Sequence, residues 1–233
     1  MSGTAVLQSP FKFLLGVWSR MGYTKEQAIT IVSTCAKSYQ ENLVDRSLLF
    51  VCMDKHKRIS CVEFTFDVSN FLHLTGLKLK NAIDANGKEY KLSATDFYHK
   101  CLDKKLSVRE FDFAPDVTTS LKLDVLPLVI NKNLSAGMIG DYNSMNPRLY
   151  TEKLVGGVKA CVGFVLTAPS GRYVPNTVLK VDIRDYVTNT ARVIAVFRKN
   201  KADELYAELT YKAKNVDWSS VQYPKEFAYL PSL

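Results

Sequence analysis

His73 is the residue whose setting most invites chemistry: it sits between leucines in Phe71-Leu72-His73-Leu74-Thr75-Gly76, just ahead of a hydroxyl and a glycine. Of the common side chains histidine titrates nearest neutral pH, so it can take a proton from one group and return it to another. The competing reading is a partly buried imidazole bonded to a neighbouring carbonyl, as buried polar groups usually are. The remaining histidines differ. His56 falls in the charged turn Asp54-Lys55-His56-Lys57-Arg58 and His99 on the polar side of a helix pattern, so both read as solvated groups.

Three further patches hold charged or hydrogen-bonding side chains. Arg148-Leu149-Tyr150-Thr151-Glu152-Lys153 crowds a guanidinium, a phenol, a hydroxyl, a carboxylate and an amine together. If Leu149 to Leu154 is a strand, Tyr150 shares one face with Glu152, and Lys153 shares the other with Thr151. A solvated strand face is the plain alternative. In Tyr173-Val174-Pro175-Asn176-Thr177 proline stiffens the chain ahead of Asn176 and Thr177, although turn formation alone accounts for Asn176. Arg192 opens a strand otherwise filled by Val193, Ile194, Val196 and Phe197, which suits a solvent boundary.

No grouping of Asp, Glu and His suits a catalytic metal, and the phosphate-cradling, nucleophile-elbow and dinucleotide glycine motifs are missing from the sequence. Neither metal nor cofactor is expected. Histidine, lysine, arginine and hydroxyls suffice to cleave RNA through its own 2′-hydroxyl: a base takes the 2′ proton, an acid protonates the leaving 5′ oxygen, and fixed cations stabilise the charged phosphorane.

The elements that must position these residues divide the chain into an amino-terminal helical segment, residues 1–46, and an α+β body, residues 47–233, with Asn86 as the alternative boundary. Ser9-Pro10 predicts a first helix ending at Gly22. Thr24 with Gln27 predicts a capping box for a second, whose apolar stripe runs from Ala28 through Ile31, Val32, Cys35 and Ala36 to Tyr39. Leu48 to Met53 and the alternating Cys61 to Val68 form a hairpin that leads into the His73 segment, with Ser69 as its expected cap and Gly76 as its end. Ser93 opens another helix, and Leu121 to Val129 a further one disturbed by Pro127. From Met138 onward short β-rich runs dominate, namely Met138 to Tyr142, Leu149 to Leu154, Ala160 to Thr167, Arg172 to Val174, Val178 to Val181, Arg192 to Phe197 and Leu205 to Lys212. Helices ahead of an antiparallel sheet make an α+β fold.

The chain has 31 Lys and Arg against 23 Asp and Glu, a net charge of +8 and a pI near 9.1, which favours a polyanionic partner. Its five cysteines are widely spaced among apolar neighbours and read as core residues rather than a disulfide or zinc framework. With neither a secretion signal nor an apolar run long enough to span a bilayer, no membrane contact is expected, and a cytoplasmic location is.

The ordered motifs Phe71 to Gly76, Met138 to Asn143, Leu149 to Lys153, Val174 to Thr177 and Asp182-Ile183-Arg184 resemble a family predicted from phage and mobile elements of Gram-positive bacteria, the phage barnase-EndoU-colicin-RelE-like nucleases. The resemblance spans roughly Ser47 to Asp217. It implies helices packed on an antiparallel sheet of four to six strands with a face that acts on RNA without a metal; the amino-terminal helical layer read from the sequence lies ahead of the matching span. Carried onto this sequence, it implies His73 as acid or base, Thr75 as an orienting or phosphate-contacting hydroxyl and Lys153 as electrostatic stabiliser. Asn176 and Thr177 become phosphate or ribose donors, with Tyr150 and Arg192 as lesser contacts. RNA, tRNA included, is the implied partner, and the amino-terminal helices, outside the matching span, are left for a protein partner such as an antitoxin or for dimerisation. The alternative from a different class is a non-catalytic basic protein that occludes a host nucleic-acid enzyme or defence effector.

Overall fold

The computed structural model describes residues 22–84, 86–144, 147–168 and 171–233, and the helix expected from Ser9-Pro10 lies outside them. Helix α1 (Lys25–Asn42) begins at the expected capping box: the Gln27 amide donates to Thr24 Oγ1 at 3.2 Å and the Thr24 amide to Gln27 Oε1 at 2.9 Å. Strands β1 (Arg46–Asp54) and β2 (Ile59–Thr65) form the hairpin, whose turn is tied by the Asp54 carboxylate to the amides of His56 and Arg58. The short helix α2 (Phe71–Thr75) follows. Then come the small strands β3 (Lys78–Leu79), β4 (Asn81–Ile83) and β5 (Glu89–Lys91), helix α3 (Ala94–Leu102), strand β6 (Phe111–Asp112) and helix α4 (Thr118–Val129). The rest is strand: β7 (Met138–Tyr142), β8 (Lys153–Gly156), β9 (Cys161–Thr167), β10 (Arg172–Leu179), β11 (Val187–Asn200) and β12 (Glu208–Lys212). Among the described residues no helix is long and apolar enough to cross a membrane.

The expected α+β fold, helices packed on an open antiparallel sheet of four to six strands, is not what forms: the described residues make chiefly a closed β-barrel with few helices. Seven strands close in the order β1-β2-β10-β9-β8-β7-β11 and back to β1, and β12 extends from β11. Closure depends on β11, whose 14 residues present one edge to β1 from Arg46↔Asn200 to Asp54↔Ala191. Its other edge is shared between β7 and β12. Register shifts at Val51/Cys52, Thr188/Ala191, Pro175/Thr177 and Val196/Phe197 supply the bends that a closed sheet needs. The barrel is also mixed rather than antiparallel, because β10 meets β2 in parallel at Tyr173↔Phe64.

Burial on both faces explains the unbroken apolar run of β1. Leu48, Phe50 and Cys52 face the main core, while Leu49 and Val51 face a second cluster built with Ile194, Phe197, Tyr206 and Leu230. The stripe of α1 joins the same main core as the barrel strands, so the hydrophobic core is continuous across residue 46. Two strand expectations change. Leu149 to Glu152 are not strand, so the face-sharing argued for Tyr150 and Glu152 does not apply, and the runs flanking Pro175 form one bulged strand, β10. The described cysteines are all free, and burial pushes the thiols of Cys35, Cys52, Cys61 and Cys161 up to about 12.

One ion pair sits inside this packing. Glu110, 3% exposed, accepts from the Lys100 ammonium, from Tyr90 Oη at 2.7 Å and from the Ser107 amide at 2.8 Å. Burial alone would raise the Glu110 carboxyl, but these donors together hold it below the usual carboxylate range. A depressed folded-state value stabilises the fold above the ordinary carboxylate range and ceases to do so as pH falls through it. E110Q is therefore expected to lose stability at pH 7, by about 3 kcal/mol as for other broken buried pairs, with the gap to the parent narrowing toward pH 4 in denaturant unfolding. At the β8–β9 turn, a Cβ on Gly156 would stand 2.4 Å from the Ala160 carbonyl oxygen and 2.5 Å from Cys161 Cα. G156A is expected to cost roughly 1–3 kcal/mol in the same measurement.

Candidate functional site

Backbone polar groups around His73 are satisfied by side chains that fix its helix in place. Asp67 caps the 3-10 turn Val68–Asn70 that leads into this helix: its carboxylate accepts from the Ser69 amide at 2.9 Å, and its own amide donates to Asn70 Oδ1 at 2.9 Å. The helix itself starts from Asn70 with no side-chain cap, so the cap expected from Ser69 does not form. Tyr39 donates to the Asp67 carbonyl at 3.0 Å and sets its ring, tilted, 5.3 Å from that of Phe71. Phe71 and Leu74 anchor α2 in the core and leave His73 exposed between them. Thr75 is wholly buried, with its hydroxyl donating to the Leu72 carbonyl at 2.8 Å and accepting from the Leu77 amide at 3.1 Å. Gly76 ends the helix at φ 73°, and its carbonyl accepts from Thr119 Oγ1 at 2.9 Å. Thr119 Oγ1 also accepts from the Ala114 amide at 2.8 Å, so the start of α4 is locked onto the end of α2.

His73 lies on the wall of a cavity of about 740 Å³ that it shares with Asn176, Lys78, Lys91, Lys122 and Asp116. Asn176 is the extra residue of the β10 bulge, unpaired between Pro175↔Phe164 and Thr177↔Gly163. A bulge re-aims a side chain, and proline is tolerated there because it has no amide to pair. The Asn176 amide donates to the Tyr150 carbonyl and its oxygen accepts from Thr151 Oγ1 at 3.2 Å, which ties the cavity to the segment carrying Tyr150. The Tyr150 ring itself is 85% exposed. Lys122 donates to the His73 carbonyl at 2.7 Å. Burial, reinforced by the charge of Lys78, pulls its ammonium down to about 8. Among the described residues no three His, Cys, Asp or Glu side chains gather so as to hold a metal ion.

The remaining expected residues do not line this cavity. Lys153 bonds Asp141 at 2.6 Å and lies 5.5 Å from the centroid of the Tyr173 ring. Burial alone would raise the Asp141 carboxyl, but Lys153 and Asn189 hold it below the usual range. Thr177 is buried with its methyl group over Gly163, where a Cβ would come within 2.7 Å of it. Arg192 donates to the Lys214 carbonyl at 2.8 Å. His73 and Asn176 are therefore the expected site residues that one cavity unites, Thr75 supports the helix carrying His73, and Tyr150 adjoins Asn176. The sequence did not single out Lys78, Lys91, Asp116 or Lys122. The only local signal at Lys122 is a single charge between Leu121 and Leu123 on an apolar helix.

Comparison with known proteins agrees with the motifs from which the resemblance was drawn. A family model described as phage-Barnase-EndoU-ColicinE5/D-RelE like nuclease4 matches residues 31–215, from within α1 to beyond β12. No curated protein and no solved structure matches the chain. The matched span takes in the His73 helix, the bulge at Asn176 and all seven strands of the barrel, and the chain belongs to the family of phage-Barnase-EndoU-ColicinE5/D-RelE like nucleases.

Proposed function

We propose that this nuclease-family chain is an endoribonuclease that cleaves RNA by attack of the 2′-hydroxyl, with the cavity beside His73 as its reaction site. The observation that carries the reading is an exposed imidazole on the wall of a cavity that also holds Asn176 and three lysines. Among the described residues the His73 ring has no hydrogen-bond partner, so both its nitrogens are available to a substrate. As base, His73 takes the 2′ proton. The 2′ oxygen then bonds to phosphorus, the bond to the 5′ oxygen breaks, and that oxygen leaves with a proton returned by an acid, giving a 2′,3′-cyclic phosphate. The Asn176 amide and the cavity lysines supply donors and positive charge for the non-bridging oxygens. This chemistry requires no metal. The phage setting in the family's description makes cytoplasmic RNA, tRNA included, the substrate to try first.

Incubation of the purified protein with total RNA and tRNA in EDTA tests the reading. Cleavage leaving 2′,3′-cyclic ends is expected, with H73A slower by roughly 10²- to 10⁴-fold, the usual contribution of a positioned acid or base. No cleavage by the parent protein, or equal cleavage by H73A, overturns it. Binding of the RNA should weaken steeply with added salt, whereas an apolar protein–protein surface would not show that dependence.

A further inference from the structure

Lys122 reaches the His73 cavity along a path that the fold keeps clear. It stands on α4, 49 residues from His73 in sequence, and its stem crosses Gly76, where a Cβ would come within 2.9 Å of Lys122 Cδ. Gly76 therefore meets two requirements at once, the positive φ that ends α2 and the space for this side chain. Lys25, Lys80, Lys100, Lys153 and Lys180 are each bonded to a carboxylate, whereas among the described residues Lys122 is partly buried without one. Its polar partner is the main-chain carbonyl of His73. A partly buried ammonium with a neutral partner and a like charge nearby gains more from an incoming anion than a paired surface lysine does.

We propose that Lys122 is the phosphodiester-anchoring residue of this cavity, its ammonium turning from, or sharing, the His73 carbonyl to bond a non-bridging phosphate oxygen. The inference rests on the cavity being the nuclease's reaction site and names the group that holds the phosphate beside His73. The charged groups around it are His73 on α2, Lys78 on β3, Lys91 on β5 and Asp116 ahead of α4. With its ammonium pulled down to about 8 by burial and by Lys78, Lys122 is charged below that pH and loses its charge above it. Phosphodiester binding should therefore fade as pH rises through about 8.

A single-stranded DNA oligonucleotide, which lacks the attacking 2′-hydroxyl, serves as an uncleavable probe read by fluorescence anisotropy from about pH 6.5 to 9.5 at fixed low salt. The parent protein should bind it progressively more weakly across the alkaline half of that range. K122M, which keeps the stem over Gly76, should bind roughly 10- to 100-fold more weakly at neutral pH, as expected for losing one charge-assisted hydrogen bond. K122R keeps its charge throughout and should lose the alkaline fall, giving an independent reading should K122M fold poorly by thermal melting. Parent-like affinity in folded K122M overturns the proposal, as does an unchanged alkaline fall in K122R, which would assign the titration to the surrounding groups. If the parent protein cleaves no RNA while the probe follows Lys122 in this way, the ribonuclease reading fails and the anchoring role stands.

Discussion

Between β2 and β10 the barrel is joined at a single residue pair, Tyr173 with Phe64, and the position of the cavity follows from that narrow seam. β2 ends at Thr65, so β10 continues to Leu179 without a strand on that side. The α2 segment packs there instead, and α4 packs beside it. Aromatic rings hold the junction from within: Phe64 lies 4.3 Å from Phe164, Phe66 bridges Phe164 to Tyr39, and Tyr39 meets both Phe71 and Tyr98. Offset and edge-to-face rings add directional energy to the area they bury. A helix fills a place in the sheet that a strand would otherwise occupy, and His73 is the exposed residue of that helix.

The charge distribution follows the same division of labour. Where the fold needs an anchor, lysines are paired: Lys25 ties α1 to β6 through Asp112 and the Val108 and Phe111 carbonyls, Lys100 meets Glu110, and Lys153 meets Asp141. Around the cavity, Lys78, Lys91 and Lys122 carry no ion pair among the described residues. Unpaired cations in a concave site raise the local potential and draw in anions, an effect that a paired lysine largely forfeits.

Several features were legible from short stretches of chain because their causes are local. The Thr24–Gln27 and Ser93 caps, the hairpin turn after Asp54 and the positive φ at Gly76 each depend on a few neighbouring residues. The burial of Cys35, Cys52, Cys101 and Cys161 follows from their apolar neighbours. Lys153 and Thr177 show the limit of such reasoning. Their types suit phosphate chemistry, but type does not tell whether a side chain will find Asp141 or press its methyl group on Gly163.

By itself, the sequence determined the capped helices, the apolar strands, the basic balance, the family and the candidacy of His73, since each is written in contiguous residues or in their order along the chain. Tertiary structure alone decided that the sheet closes through β1 and β11, that the bulge residue Asn176 lines one cavity with His73, and that Lys122 reaches that cavity over Gly76. The physical reason is that strand pairing and cavity formation bring together residues far apart in sequence. Edge partners are set by backbone hydrogen bonds that any side-chain pattern of period two can satisfy in more than one order.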